Sequence, residues 1–106
     1  ILEDIFNYLR KQYDEIKSDY SIKGMSGTEY QFSFLADDTL VDFATAHSNT
    51  TGALLRKIHD VQNIVRDDYD FRIIIDDHNS NTAKKESKIL ASVAHMIPLS
   101  HIQNAA

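Results

Sequence analysis

The sequence predicts one α/β domain with a mixed sheet, in the order helix, three strands, helix, strand, helix, strand. Three observations predict it. Apolar residues recur at intervals of three and four in three separate stretches, the period of a half-buried helix. Between the first and second stretch the period drops to two and is broken by short turns, which join antiparallel neighbours. Between the second and third lies Phe71 to Ile75, whose three consecutive isoleucines are too few for a helix and too apolar for a strand with one wet face.

In chain order, Leu2, Ile5, Phe6, Leu9, Tyr13 and Ile16 predict an amphipathic helix over residues 1–18, with Glu3 and Asp4 in its first turn and Lys17 near its end. Tyr20 and Ile22 open a strand, and Gly24-Met25-Ser26-Gly27 supplies a turn. Tyr30, Phe32 and Phe34 predict a second strand with one strongly apolar face. Asp37-Asp38 makes the next turn, and Leu40 to Ala44 the third strand. Leu54, Leu55, Ile58, Val61 and Val65 predict a helix with N-cap candidates in Ser48, Asn49 and Thr50, ended by Asp67-Asp68. Phe71 to Ile75 reads as an interior strand. Asp76 to Asn81 reads as a loop, and Ala83 to Val93 as a helix with Ile89, Leu90 and Val93 inward. Met96 to Leu99 is a short last strand in which Pro98 fits only at an edge or an end. Residues 1–100 thus make a single domain and 101–106 a frayed tail. The opening at Ile1, already on an apolar helical face, reads as a segment of a longer protein.

Composition removes several classes. The 106 residues hold 11 lysines and arginines against 16 acids, a net charge of −5, with no cysteine, three glycines and one proline. Disulfide frameworks and thiolate zinc sites are excluded, as is a collagen-like or linker chain. No apolar run approaches the length of a membrane span. The acidic balance argues against a protein held on nucleic acid by an overall positive field. The expectation is a cytoplasmic domain.

The segment Ile22-Lys23-Gly24-Met25-Ser26-Gly27, followed by Tyr30-Gln31-Phe32-Ser33-Phe34, resembles the bacterial and phage domain of unknown function family 1829. That family shows a strand, a Gly-x-Ser-Gly turn and a strand usually reading Phe-Asp-Phe. Phe71-Arg72-Ile73-Ile74-Ile75-Asp76-Asp77 is similar to the family's later strand ending in an aspartate. The resemblance implies a restriction-endonuclease-like fold, whose core order matches the elements above, more than it implies a mechanism. Ser33 departs from it, standing where Phe-Asp-Phe places its acid. Read from the residues alone, Gly24 to Gly27 is a tight turn. A phosphate cradle would lead into a helix N-terminus, and this turn leads into a strand.

A nuclease of that fold needs an acid on the second strand and acid-x-lysine on the third, to hold a cation such as Mg²⁺ and position the attacking water. Here the third strand offers Asp42 with Ala44 at the lysine position, and the second offers Ser33. Asp37 and Asp38 read as a turn, and Asp76-Asp77-His78 as a loop of Asx turns before a helix. An enzyme would have to gather Asp37, Asp38, Asp42 and Asp76 into a rearranged site. His47, His59, His95 and His101 show no zinc-hydrolase spacing, and there is no Gly-x-Ser-x-Gly elbow. Arg56-Lys57 and the stripe Lys84, Lys85 and Lys88 are the basic clusters. The stripe reads as a solubilising surface, with phosphate contact as the alternative. The tyrosines read as core or boundary packing. The expected function is therefore non-catalytic: an interaction or structural module that binds a protein partner or a second copy of itself, without cofactor and without membrane. The alternatives are a Mg²⁺-dependent nuclease at the rearranged carboxylates and a nucleic-acid-binding remnant.

Overall fold

The computed structural model describes residues 1–104, and the last two residues of the expected tail lie outside the described residues. Five strands form one sheet in chain order: β1 (Ile16–Lys23), β2 (Glu29–Ala36), β3 (Thr39–Ala44), β4 (Asp70–Ile75) and β5 (His95–Pro98). β1, β2 and β3 run antiparallel as a meander, while β4 is parallel to β3 and β5 to β4. Helix α1 (Leu2–Arg10) and helix α4 (Leu99–Asn104) pack Ile5, Leu9, Leu99 and Ile102 against Val41, Ile74 and Ile97 on one face. Helix α2 (Ser48–Val65) and helix α3 (Ser80–Leu90) cover the other, where Leu54, Ile58, Val61 and Leu90 meet Leu40, Ile73 and Ile75. The chain is a mixed α/β domain, with α4 as a helix beyond the expected order.

β4 lies between β3 and β5 with Ile73, Ile74 and Ile75 all at most 2% exposed. Helices on both faces let an uninterrupted apolar run bury every side chain. Pro98 stands at the end of the edge strand, where its missing N–H breaks no interior ladder.

Several boundaries differ from the sequence expectation. α1 stops at Arg10 instead of reaching residue 18, and Ile16 and Lys17 belong to β1. Tyr13 and Ile16 fit a helical stripe, but the amides of Asp14 and Glu15 donate to the Asp37 carboxylate at 3.2 and 2.9 Å, a partner remote in sequence. The cap of α2 is His47, whose Nδ1 accepts the Asn49 N–H at 3.0 Å, so Ser48, Asn49 and Thr50 lie inside the first turn. A short 3₁₀ turn, Arg66–Asp68, follows α2. α3 spans Ser80–Leu90 with Asn79 as cap, and Val93 lies beyond it. Ile89 points outward, 42% exposed, because Ala83, Glu86 and Leu90 already occupy the inner face. The tail is not frayed at 101–104: it belongs to α4, and Ile102 is 2% exposed.

Tyr30, Phe32 and Phe34 do not share one face. Tyr30 and Phe32 pack with α2, whereas Phe34 packs with α1. β1 changes in step, with Ile16 on the α1 side and Tyr20 and Ile22 on the α2 side. The change falls where ladder pairing between Ser18–Phe34 and Tyr20–Phe32 skips the rung of Asp19 and Ser33, and Asp19 takes φ 52°. A left-handed residue in a strand costs conformational energy but turns the following side chains to the other face.

Candidate functional site

The switch rung leads directly to a buried carboxylate, that of Asp42. β2 and β3 pair from Ala36–Thr39 to Phe34–Val41, and the next position opposes Ser33 to Asp42. Asp42 lies on the α2 face of β3 and is 8% exposed. Its Oδ1 accepts the Ser33 hydroxyl at 3.1 Å and the Ser33 N–H at 3.4 Å. Its Oδ2 accepts from the ammonium of Lys57, which reaches in from the middle of α2. Lys57 also donates to the Gln31 carbonyl and stands 4.3 Å above the Phe32 ring centroid. One carboxylate and one ammonium, each largely shielded from water, are therefore closed around each other by a hydroxyl, a carbonyl and an aromatic face.

The sequence groups Lys57 with Arg56 in a basic cluster and shows no lysine two residues after Asp42. The structure brings Lys57 to Asp42 across 15 residues of chain, while Arg56 remains exposed. The signal available in sequence was helical phase: Lys57 immediately precedes buried Ile58 and so lies at the border of the buried stripe.

A second knot joins the glycine turn to α2. Asp60 accepts the Ser26 N–H at 2.9 Å, the Ser26 hydroxyl at 2.5 Å and the Tyr30 phenol at 2.9 Å. The Met25 N–H donates to the Asp60 carbonyl at 3.1 Å. The Ser26 bonds, chiefly its hydroxyl, hold the Asp60 carboxyl below the usual carboxylate range. Hydrogen bonding to that same carboxylate holds the Tyr30 phenol above its ordinary value. Gly27 has φ +90°, so the turn uses glycine there for conformation. Nothing in the sequence marked Asp60 as its partner.

The other aspartates hold local structure. Asp37, at φ 52° in the two-residue turn between β2 and β3, caps the amides before β1, while the Asp38 carbonyl accepts the Asp70 N–H at 2.9 Å. These two stand at the start of β3, and Asp76 follows the end of the parallel β4. Asp76 makes an Asx turn to the His78 N–H at 3.1 Å and meets His78 Nδ1 at 2.9 Å, which lowers its pKa. Asp77 accepts the Ser100 hydroxyl at 2.5 Å and N–H at 3.0 Å, tying the loop to the first turn of α4 and lowering its own pKa. Asp37 and Asp38 are thus placed at one end of β3, Asp42 within it, and Asp76 beyond its far end. Among the described residues no group of three or more histidines or acids is placed to hold a metal ion.

Lys84, Lys85 and Lys88 are exposed on α3. Lys84 and Lys88 border a groove of about 400 Å³ beside the ends of β4 and β5. A larger cleft, about 490 Å³, opens at the other end of those strands among Arg66, Asp67, Tyr69, Arg72 and His95, with both signs of charge on its walls. No described helix is long and apolar enough to cross a membrane. No family model matches the chain, and no curated protein or solved structure is significantly similar to it.

Proposed function

We propose that this domain is a non-catalytic interaction or structural module of a bacterial or phage protein, built on a restriction-endonuclease-like scaffold and binding a protein partner or a second copy of itself. The order of one helix, a three-stranded meander, a crossing helix and a parallel strand supports that scaffold, and with it the resemblance to family 1829. Fold analogy alone gives no activity. The observation that carries the reading is the commitment of Asp42. The one acid at the expected site position of β3 spends both oxygens on Ser33 and Lys57, and Ser33 stands where a second carboxylate belongs. A cation would have to displace the ammonium from a shielded carboxylate and would find one acidic ligand in return.

A second reading rests on the same contact. Lys57 beside Asp42 supplies in space the lysine that β3 lacks in sequence, which favours a metal-dependent nuclease with a rearranged site over other catalytic readings. The experiment is incubation of purified protein with supercoiled plasmid and Mg²⁺ or Mn²⁺, beside Asp42→Asn and Lys57→Met. The expected result is no cation-dependent nicking. Nicking by the parent that both substitutions abolish, with folding retained, would replace the first reading by the second. Light scattering over a concentration series then separates self-association from binding to another protein.

A further inference from the structure

We infer that the groove between α3 and the ends of β4 and β5 binds an acidic peptide segment carrying an apolar anchor residue. The inference rests on the reading of the domain as a protein-binding module and names the chemistry of the partner.

The groove has an apolar floor and a basic rim. Ile75, Ala83 and Pro98 line its base, and Lys84 and Lys88 stand one helical turn apart along its edge. Its volume of about 400 Å³ lies within the range of sites that take a side chain and its flanking backbone. Asp77 also borders it and remains anionic, its carboxylate held by Ser100, so the two lysines leave the rim net positive. Neither lysine forms an ion pair among the described residues.

Charge complementarity selects the occupant. The chain as a whole carries −5, yet every exposed charge on α3 is a lysine, because its one acid, Glu86, is 3% exposed. A positive edge on an acidic protein draws a ligand with carboxylates, and an apolar floor rewards a ligand that buries a hydrocarbon side chain. Nucleic acid satisfies only the first condition. Among the described residues no aromatic side chain lines the groove for a base to stack on, and a phosphate backbone gains nothing from Ile75, Ala83 and Pro98.

The test is a nitrogen-15 NMR titration of the full chain with a synthetic peptide carrying Leu-Phe between aspartates. The same peptide with lysine for each aspartate, and a short DNA duplex, are the comparison ligands. Saturable amide shifts centred on Ile75, Ala83, Ser87 and Leu99 are expected with the acidic peptide. The double substitution Lys84→Glu with Lys88→Glu should weaken binding about tenfold or more. Ser87 also lines the groove, so Ser87→Trp, which fills it and leaves both lysines, should abolish binding while the circular dichroism stays that of the parent. Absence of binding, shifts centred elsewhere, equal binding of the lysine peptide, or tighter binding of the duplex on this face would each overturn the inference. Such a failure without plasmid nicking leaves the non-catalytic reading standing, whereas nicking that both Asp42→Asn and Lys57→Met abolish removes that reading whatever the peptide does.

Discussion

The carboxylate of Asp60 occupies the space that a β-carbon on Gly24 would need: an ideally placed Cβ falls 2.5 Å from Asp60 Oδ2 and 3.0 Å from the Tyr30 ring. Two glycines in one turn thus answer to different constraints. Gly27 meets a backbone requirement, with no atom of the described residues within 4 Å of its missing β-carbon, and Gly24 meets a steric one.

Gly24→Ala should destabilise the protein by about 1–3 kcal/mol, the range for forced overpacking, partly offset by the about 0.4–1 kcal/mol that alanine gains by restricting the unfolded chain. Moving Asp60 aside would break its bonds to Ser26 and Tyr30. In an Asp60→Ala background the same substitution should cost markedly less. Urea titration of the four proteins of this cycle checks it, and equal costs in both backgrounds would refute the steric account.

Lys57→Met should cost about 3–5 kcal/mol, because it leaves the Asp42 carboxylate shielded from water without its counter-charge. Asp42→Leu combined with Lys57→Met should cost less than the sum of the single substitutions. Denaturant midpoints measured at constant slope provide the comparison. Additive losses would show that the two groups do not depend on each other.

Ile74→Ala should cost about 2–5 kcal/mol. Ile74 is 0% exposed and is the β4 isoleucine that packs with α1 and α4. Ile89→Ala, at a side chain 42% exposed, should stay within about 0.5 kcal/mol of the parent. Chemical denaturation of both variants tests the two assignments together.

The glycine turn should respond to pH at both ends of the scale. Asp60 has a folded-state pKa below its unfolded value, so its contribution is complete above the ordinary carboxylate value of about 3.9 and is lost as pH falls through the folded value. Asp76 and Asp77 act in the same direction. Tyr30 has the opposite sign: its pKa is raised by donation to Asp60, so its contribution is present below about 10 and disappears as pH rises through the folded value. Thermal melts across pH should fall at both extremes. Asp60→Asn should flatten the acid limb, and Tyr30→Phe the alkaline one.

Local periodicity carried the strands and the two longer helices into view, because side chains that repeat every two or every three to four residues report directly on burial. Where a distant partner intervenes, periodicity is silent. Asp37 ends the reach of α1 by taking the amides of Asp14 and Glu15, and no pattern within residues 1–18 contains that information. The face change at Ser33 has the same origin, since it depends on Asp19 across the sheet and on Asp42 beside it. α4 escaped notice because six residues are too few to display a helical period. The candidate site was legible as a list of acids, but not as a set of partners. Asp42 was singled out while Lys57 and Asp60 were not, because one residue's identity does not disclose which others the fold delivers to it.

The strand order has a consequence for how the chain is made. Because each strand neighbours the one before it and the one after it, every strand leaving the ribosome finds an exposed edge left by its predecessor. None must wedge between two already paired, and none waits for a later segment to complete its pairing on the growing side. The meander can close before β4 emerges, leaving β3 as a template on which β4 and then β5 are laid down in parallel. Synthesis from the N-terminus and growth of the sheet therefore advance in the same direction, one edge at a time.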